Sequence, residues 1–359
     1  MRIGVMPFSS NRSMNDLAKR NPLNPLIRPE DLVSYHSEMK VECVLNPGAF
    51  EFDGKTYLMV RVAERPVQKE GKITIPLMDN EKIKFISFDL KDPLLDVSDP
   101  REPRYKGQTY LSTISHLRIL CSEDGNSFKD AGLPNILGSR PLESYGIEDC
   151  RVTKIQDDSF ILTYTATSPS GYGVGMRATK NWKSYEELGM ILPPANKDCA
   201  IFEKKIKRKY FCFHRPSGVG LGGNYIWLAS SPDLINWGGH QCIAHTRPGM
   251  WDSSRIGAGA APIETEDGWL AIYHGADEQN RYCLGALLLD RRNPAKVLAR
   301  SNSPIMEPIE DYEQKGFFGN VVFTNGHTVR GDKVTLYYGA SDSVICSADL
   351  SISAILKTL

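Results

Sequence analysis

The chain has 359 residues, enough for a large core and for either one big all-β domain or two ordinary domains. Its 43 lysines and arginines balance 43 aspartates and glutamates, so no net charge draws it to nucleic acid or to an anionic membrane. Its eight cysteines are scattered, with no CxxC pair; this removes zinc spacing and reads as small core hydrophobes in a reducing, cytoplasmic compartment.

The opening MRIGVMPFSSNRS has no apolar run after its arginine and does not read as a secretory signal. No stretch of about 18 apolar residues reads as a membrane span. Residues 1–40 are polar and interrupted by Pro22, Pro25 and Pro29. Within them NDLAKR and PEDLVSYHS predict two short helices, in an N-terminal arm that packs on the domain as a lid or as the subunit contact of a homo-oligomer.

From Leu45 the chain repeats. One strand type reads NPGAFEF, EDCRVTKI, KDCAIFEKK, GAGAAPIE and GNVVFTNG. After a turn such as FDGK, QDDS or EDGW comes a second type: YLMVRVA, FILTYTA, YFCFHRP, WLAIYHGA and VTLYYGA. A third follows: SHLRILCS, YGVGMRAT, YIWLASS, YCLGALLLD and SVICSAD. A strand-only unit of roughly 50–65 residues, present five times, predicts an all-β fold, a five-bladed β-propeller over residues 41–359. A fourth strand per blade is expected in the turn-rich tails. The first blade is extended, because charged, proline-rich sequence from Glu64 to about Gln108 lies between its second and third strands and reads as loops over one face.

In such a fold the first strand of each blade lines the central channel, and its mouth collects one set of residues per blade. Those sets are Asn46; Glu148 with Asp149; Lys197 with Asp198; the SSRIG segment with Arg255; and Asn320. Asn46 and Asp149 precede Arg61 and Tyr164 by the same interval, which predicts matching places. Read alone, Asp149 is either a general acid or a carboxylate that caps a turn or pairs with Arg151. Asn46 stands where five-bladed sugar hydrolases carry a channel aspartate, and it cannot serve as a base. Lys197, His214 with Arg215, Arg255, and Tyr273 with His274 form a basic set at blade mouths, which suits a phosphate anion.

GIEDCRVTKI, NKDCAIFEKKI with HRP, WDSSRIGAG and IYHGAD together resemble glycoside hydrolase family 130, the β-mannoside phosphorylases and related β-mannosidases. The resemblance runs from about Leu45 to the C-terminus and implies a five-bladed propeller. It implies a catalytic acid at Asp149, working through the sugar's 3-hydroxyl. It implies sugar ligands at Asn46, Arg61, Asp198 and Asp342, and phosphate ligands at Lys197, Arg215, Arg255, Tyr273 and His274. Two departures from the family pattern are Cys150, where proline often follows the acid, and Lys197, where some members have arginine. The expected activity is inverting phosphorolysis of β-mannobiose or β-manno-oligosaccharides, β-1,2 favoured over β-1,4, giving α-mannose 1-phosphate. Inorganic phosphate is a co-substrate, with no metal and no other cofactor. A hydrolytic β-mannosidase and a non-catalytic sugar-binding propeller are the alternatives.

Overall fold

The computed structural model describes residues 16–155, 159–218 and 223–359. The fold is all-β. Among the described residues, helix is confined to short turns at Pro29–Asp31, Pro141–Glu143, Asp311–Gln314 and Ile352–Leu356. None of these helices is long and apolar enough to cross a membrane. The MRIGVMPFSSNRS segment and most of the QDDS turn lie outside the described residues.

Five antiparallel meanders dominate, one for each repeat. The first pairs Met39–Phe52, Lys55–Pro66, Ile114–Ser122 and Lys129–Asp130. The second is Ile147–Ile155, Ser159–Ser168, Gly171–Thr179 and Glu186–Leu192. The third is Asn196–Ile201, Tyr210–Pro216, Ile226–Ser231 and Gly238–Ala244. The fourth is Arg255–Ala258, Trp269–Ala276, Tyr282–Leu289 and Val297–Arg300, with Ile263–Glu264 added on Trp269–Ala276. The fifth is Val322–Arg330, Lys333–Ala340 and Val344–Ser351, and its fourth strand comes from the other end of the chain, Lys19–Arg20.

This corrects the reading of NDLAKR. Its tail is a strand on the edge of the last sheet, where ladder hydrogen bonds outweigh local helix preference. PEDLVSYHS likewise contains only the turn Pro29–Asp31. The insert in the first unit is also more ordered than loops. It holds the hairpin Lys72–Asp79/Lys82–Asp89 and a small sheet of Leu95–Asp96, Arg104–Tyr105 and Gln108–Thr109.

Each sheet buries both faces against its neighbours, so the core is five apolar layers between consecutive sheets. Phe50, Met59 and Leu117 of the first sheet meet Ile147, Phe160 and Leu162 of the second. Ile161 and Met176 then meet Ile201 and Cys212. Phe202 and Phe213 meet Ile256 and Trp269, and Leu270 and Leu284 meet Val322 and Leu336. The last layer joins the fifth sheet back to the first, Tyr337 and Ile345 against Val44, Leu58 and Val60. Seven of the eight cysteines are buried and all are free thiols.

Strict alternation would send every second side chain to the same face. The opening strands of four of the sheets break that phase with a bulge, after Leu45, Glu148, Lys197 and Thr324. The inserted residues are headed by Asn46, Asp149, Asp198 and Asn325. The first three hold left-handed backbone at φ 39°, 50° and 55°, a conformation that asparagine and aspartate tolerate better than other side-chain-bearing residues. A bulge re-aims a side chain that the pleat would otherwise point into a sheet interface. Here it happens at equivalent places in successive sheets, and that builds the site.

Candidate active site

Asp149 is 7% exposed, and its Oδ1 accepts two hydrogen bonds, from Asn46 Nδ2 at 3.1 Å and from Arg61 Nη1 at 3.1 Å. Arg61 spans further: its Nη2 lies 3.0 Å from Glu148 Oε1 and its Nε donates to Ser115 Oγ at 3.0 Å. Asn46 is itself braced, because Asn325 Nδ2 donates to its carbonyl at 3.1 Å. A Cβ at position 339 would stand 2.3 Å from Asn46 Oδ1, so Gly339 is what lets the last sheet come this close. The carboxylate is therefore neither a turn cap nor paired through its side chain with Arg151.

Burial alone would raise the Asp149 carboxyl. The cations Arg61, Arg151 and Lys197, together with the Asn46 hydrogen bond, outweigh it and hold it below the usual range. Asp342 goes the other way. Burial, opposed by Arg61 but reinforced by Asp149 and Glu148, pushes it up to about 6. Asp149 is thus one of three neighbouring carboxylates. Glu148, Asp149 and Asp342 all interact with Arg61.

Arg151 connects this group to a second one. It is 1% exposed; Nη1 donates to the Asp149 carbonyl at 2.9 Å and Nη2 to Asp198 Oδ1 at 3.1 Å. Two more bonds fix it to the carbonyls of Gly259 at 3.1 Å and Ala258 at 2.8 Å. In the sequence Arg151 was visible only as a rival partner for Asp149; in the structure it is the strut between the two halves of the site.

Asp198 is ringed by cations and imidazole. Arg215 Nη1 lies 3.1 Å and His274 Nε2 3.3 Å from its Oδ2, with Arg151 on Oδ1. Burial opposes ionisation, but Arg215, His274 and Arg151 keep the carboxyl well below its usual range. His274 is held down to about 4 by burial, against the pull of Asp198, so it is neutral near pH 7. The fit is tight: a Cβ on Gly257 would lie 2.2 Å from Asp198 Oδ2 and 2.5 Å from His274 Nε2. Lys197, cross-strand from Arg215, places its ammonium 4.8 Å from the Tyr172 ring centre. Arg255 donates to Tyr282 OH at 3.1 Å and to Asn280 Oδ1 at 2.7 Å. The buried Nε atoms of Arg215 and Arg255 have no hydrogen-bond partner among the described residues, which leaves each guanidinium a donor there.

Tyr273 does not join them. Neighbouring residues on a strand face opposite ways, and His274 takes the inward direction. The Tyr273 hydroxyl donates to Asp252 Oδ2 at 2.8 Å and accepts from Arg300 Nε at 3.0 Å, in a separate ion cluster. Tyr282 stands on the inward side instead. Burial raises its phenol, while Arg255 and Arg215 oppose the rise. Two matches also shift by register. Arg61 pairs with Leu45 and Thr165 with Glu148, so the counterpart of Arg61 in the second sheet is Thr165, not Tyr164, and in the third it is Arg215. In the last sheet the bulge residue is Asn325; Asn320 precedes the strand, and its carbonyl accepts from Tyr282 N at 2.9 Å.

A sequence profile for glycoside hydrolase family 130, described as β-1,4-mannooligosaccharide phosphorylase, matches residues 104–359. The chain belongs to glycoside hydrolase family 130. It is 42% identical to a β-1,2-mannobiose phosphorylase of Listeria innocua, over 94% of this chain and 96% of that protein. A 1,2-β-oligomannan phosphorylase of a Thermoanaerobacter strain is 39% identical, over 68% of this chain and 82% of the relative. Among solved structures, the β-1,2-mannobiose complex of the L. innocua β-1,2-mannobiose phosphorylase superposes with a TM-score of 0.90 at 40% identity, covering 95% of this chain and 99% of that one. The family profile thus carries a β-1,4 description, while these closely similar relatives carry β-1,2 names.

Proposed function

We propose that this family 130 chain is an inverting β-mannoside phosphorylase that acts on β-1,2-mannobiose or short β-1,2-manno-oligosaccharides. One observation carries the reading: buried Asp149 is joined through Arg151 and Asp198 to Arg215 and neutral His274, with Lys197 cross-strand from Arg215. The β-1,2 linkage is favoured by the relatives' names and by their coverage of almost the whole chain.

Asp149 Oδ1 is occupied by Asn46 and Arg61, which leaves Oδ2 to carry the proton for the departing oxygen, through the 3-hydroxyl of the mannosyl unit. Asn46, Arg61 and Asp342 surround that unit. Asp198 is better used as the buried counter-ion that positions Arg215 and His274 than as a sugar ligand, because both its oxygens face cations or imidazole. Phosphate meets Lys197, Arg215, Arg255 and Tyr282 and attacks the anomeric carbon, giving α-mannose 1-phosphate. An anionic nucleophile needs no general base. Of the neighbouring carboxylates, Glu148 suits that role poorly, because Arg61 holds it at 3.0 Å.

The five sheets act as blades of a propeller over residues 41–359, with the N-terminal segment as the strand that fastens the last blade; the five successive apolar layers support this. Buried free thiols suit a reducing cytoplasm.

The deciding assay incubates the protein with β-1,2- and β-1,4-mannobiose, with and without phosphate. Mannose 1-phosphate formed only with phosphate, faster from the β-1,2 substrate, is the expected result. Free mannose alone, independent of phosphate, would overturn it.

Two tyrosine variants separate the two sides of the fourth sheet. Tyr282→Phe is expected to raise the phosphate KM about tenfold, because the Arg255 guanidinium loses a hydrogen-bond partner. Tyr273→Phe should leave that KM within about twofold and lower stability by about 1–3 kcal/mol, because buried Asp252 loses a donor. Initial rates over a phosphate series and thermal melts read both. The reverse pattern would return Tyr273 to the phosphate site.

A further inference from the structure

The residues above hold the mannosyl unit and the anion, but none holds the sugar that leaves. The chain from Lys315 to Asn320 is placed to do so. At one end Phe317 N donates to Ser343 Oγ at 2.7 Å and Phe318 N to the Ser341 carbonyl at 3.1 Å, so the loop rests on the turn that carries Asp342. At the other end the Asn320 carbonyl accepts from Tyr282, whose hydroxyl holds Arg255. The loop therefore runs from the sugar side of the site to its anion side.

It is also closely seated. A Cβ on Gly316 would lie 2.5 Å from both Cβ and O of Ser341 and 2.6 Å from Ser343 Oγ, which only glycine avoids. On this fixed backbone Phe317 remains 48% exposed. Phe323, by contrast, is partly buried, its ring 4.1 Å from that of His274 between ring centres. An aromatic side chain held half in solvent keeps an apolar face for a ligand.

We propose that Phe317 is the platform for the leaving sugar, receiving the C–H face of a pyranose ring bound next to the mannosyl unit. The inference rests on the phosphorylase reading and adds the acceptor side of the same site. A ring stacked on Phe317 is fixed relative to Asp342, so the platform selects which hydroxyl of the acceptor faces the anomeric carbon.

The reverse reaction isolates this step. With mannose 1-phosphate as donor and mannose as acceptor, Phe317→Ala should raise the acceptor KM about tenfold and leave the donor KM within about twofold. Phe317→Trp should restore most of the loss, which a merely structural role would not predict. Sedimentation of both variants shows whether the ring instead lies between two copies of the chain. An active Phe317→Ala with wild-type acceptor KM overturns the platform alone, whether or not its oligomeric state changes. A wild-type chain that makes no mannose 1-phosphate in either direction overturns the function, and the platform with it.

Discussion

Asp149→Asn is expected to lower kcat by about 10²–10⁴-fold while the protein stays folded. The change is nearly isosteric, and the new amide oxygen can still accept from Asn46 and Arg61. Arg61 keeps a counter-ion in Glu148 at 3.0 Å, so the guanidinium is not left buried and unpaired. What disappears is the transferable proton. The pH profile supplies the control. Asp149 lies below the usual carboxylate range, so the free enzyme is ionised near neutral pH and the acid form is the minor one. Wild-type kcat/KM should therefore fall as pH rises past that pKa. In Asp149→Asn the small residual rate should no longer follow that decline. Rates across pH, with thermal melts beside them, decide the matter; a variant within about tenfold of wild type would remove Asp149 from the acid role.

The repeat was legible because alternating apolar runs and Asp-Gly turns mark strands locally, and five copies reinforce one another. The carboxylate and the basic residues were legible as types: Asp149 with Arg61, and Arg215 with His274, do meet in the structure. What the pattern hid is phase. A bulge inserts residues without a sequence marker as plain as glycine, and Asn46, Asp149 and Asp198 take left-handed backbone as ordinary Asn and Asp. The bulges of the first two sheets are the same size, but the hairpin from Ile155 to Ser159 is one residue longer than that from Phe52 to Lys55, which set Tyr164 in place of Thr165; Asn320 stood in for Asn325 because both lie in GNVVFTNG and only the second sits at the bulge. The pairing of Tyr273 with His274 overlooked plain alternation: the register runs unbroken through both, so their side chains point opposite ways and Tyr273 meets Asp252 and Arg300 instead. Run by run, the sequence also could not reveal Arg151 as a strut. Its four partners come from three segments: Asp149 on its own strand, Asp198 in the next sheet, and the carbonyls of Ala258 and Gly259.

Position 46 tests what decides the reaction type. Asn46→Asp sets a second carboxylate beside Asp149, yet loss of phosphorolysis with no gain of hydrolysis is expected. Asn46 Nδ2 now donates to Asp149 Oδ1 at 3.1 Å. Replaced by a carboxylate oxygen, that contact sets two like charges about 3 Å apart, and one of the pair must hold a proton. The left-handed backbone tolerates aspartate, so strain adds little. The new charge also weakens the attraction of the Lys197, Arg215 and Arg255 group for phosphate. Mannose 1-phosphate formation should fall by about a hundredfold or more, in line with the loss of an aligned acid. The pair's raised pKa has a definite sign. Residual activity needs the protonated acid, so its alkaline limb should move upward from the wild-type position. Folding stability should fall as pH rises through the same pKa, because the folded state binds its proton more tightly than the unfolded chain does. Separate assays of mannose and mannose 1-phosphate across pH read the outcome. Free mannose released as fast as wild type makes mannose 1-phosphate would show that a missing base, and not the cation group around Asp198, sets the reaction.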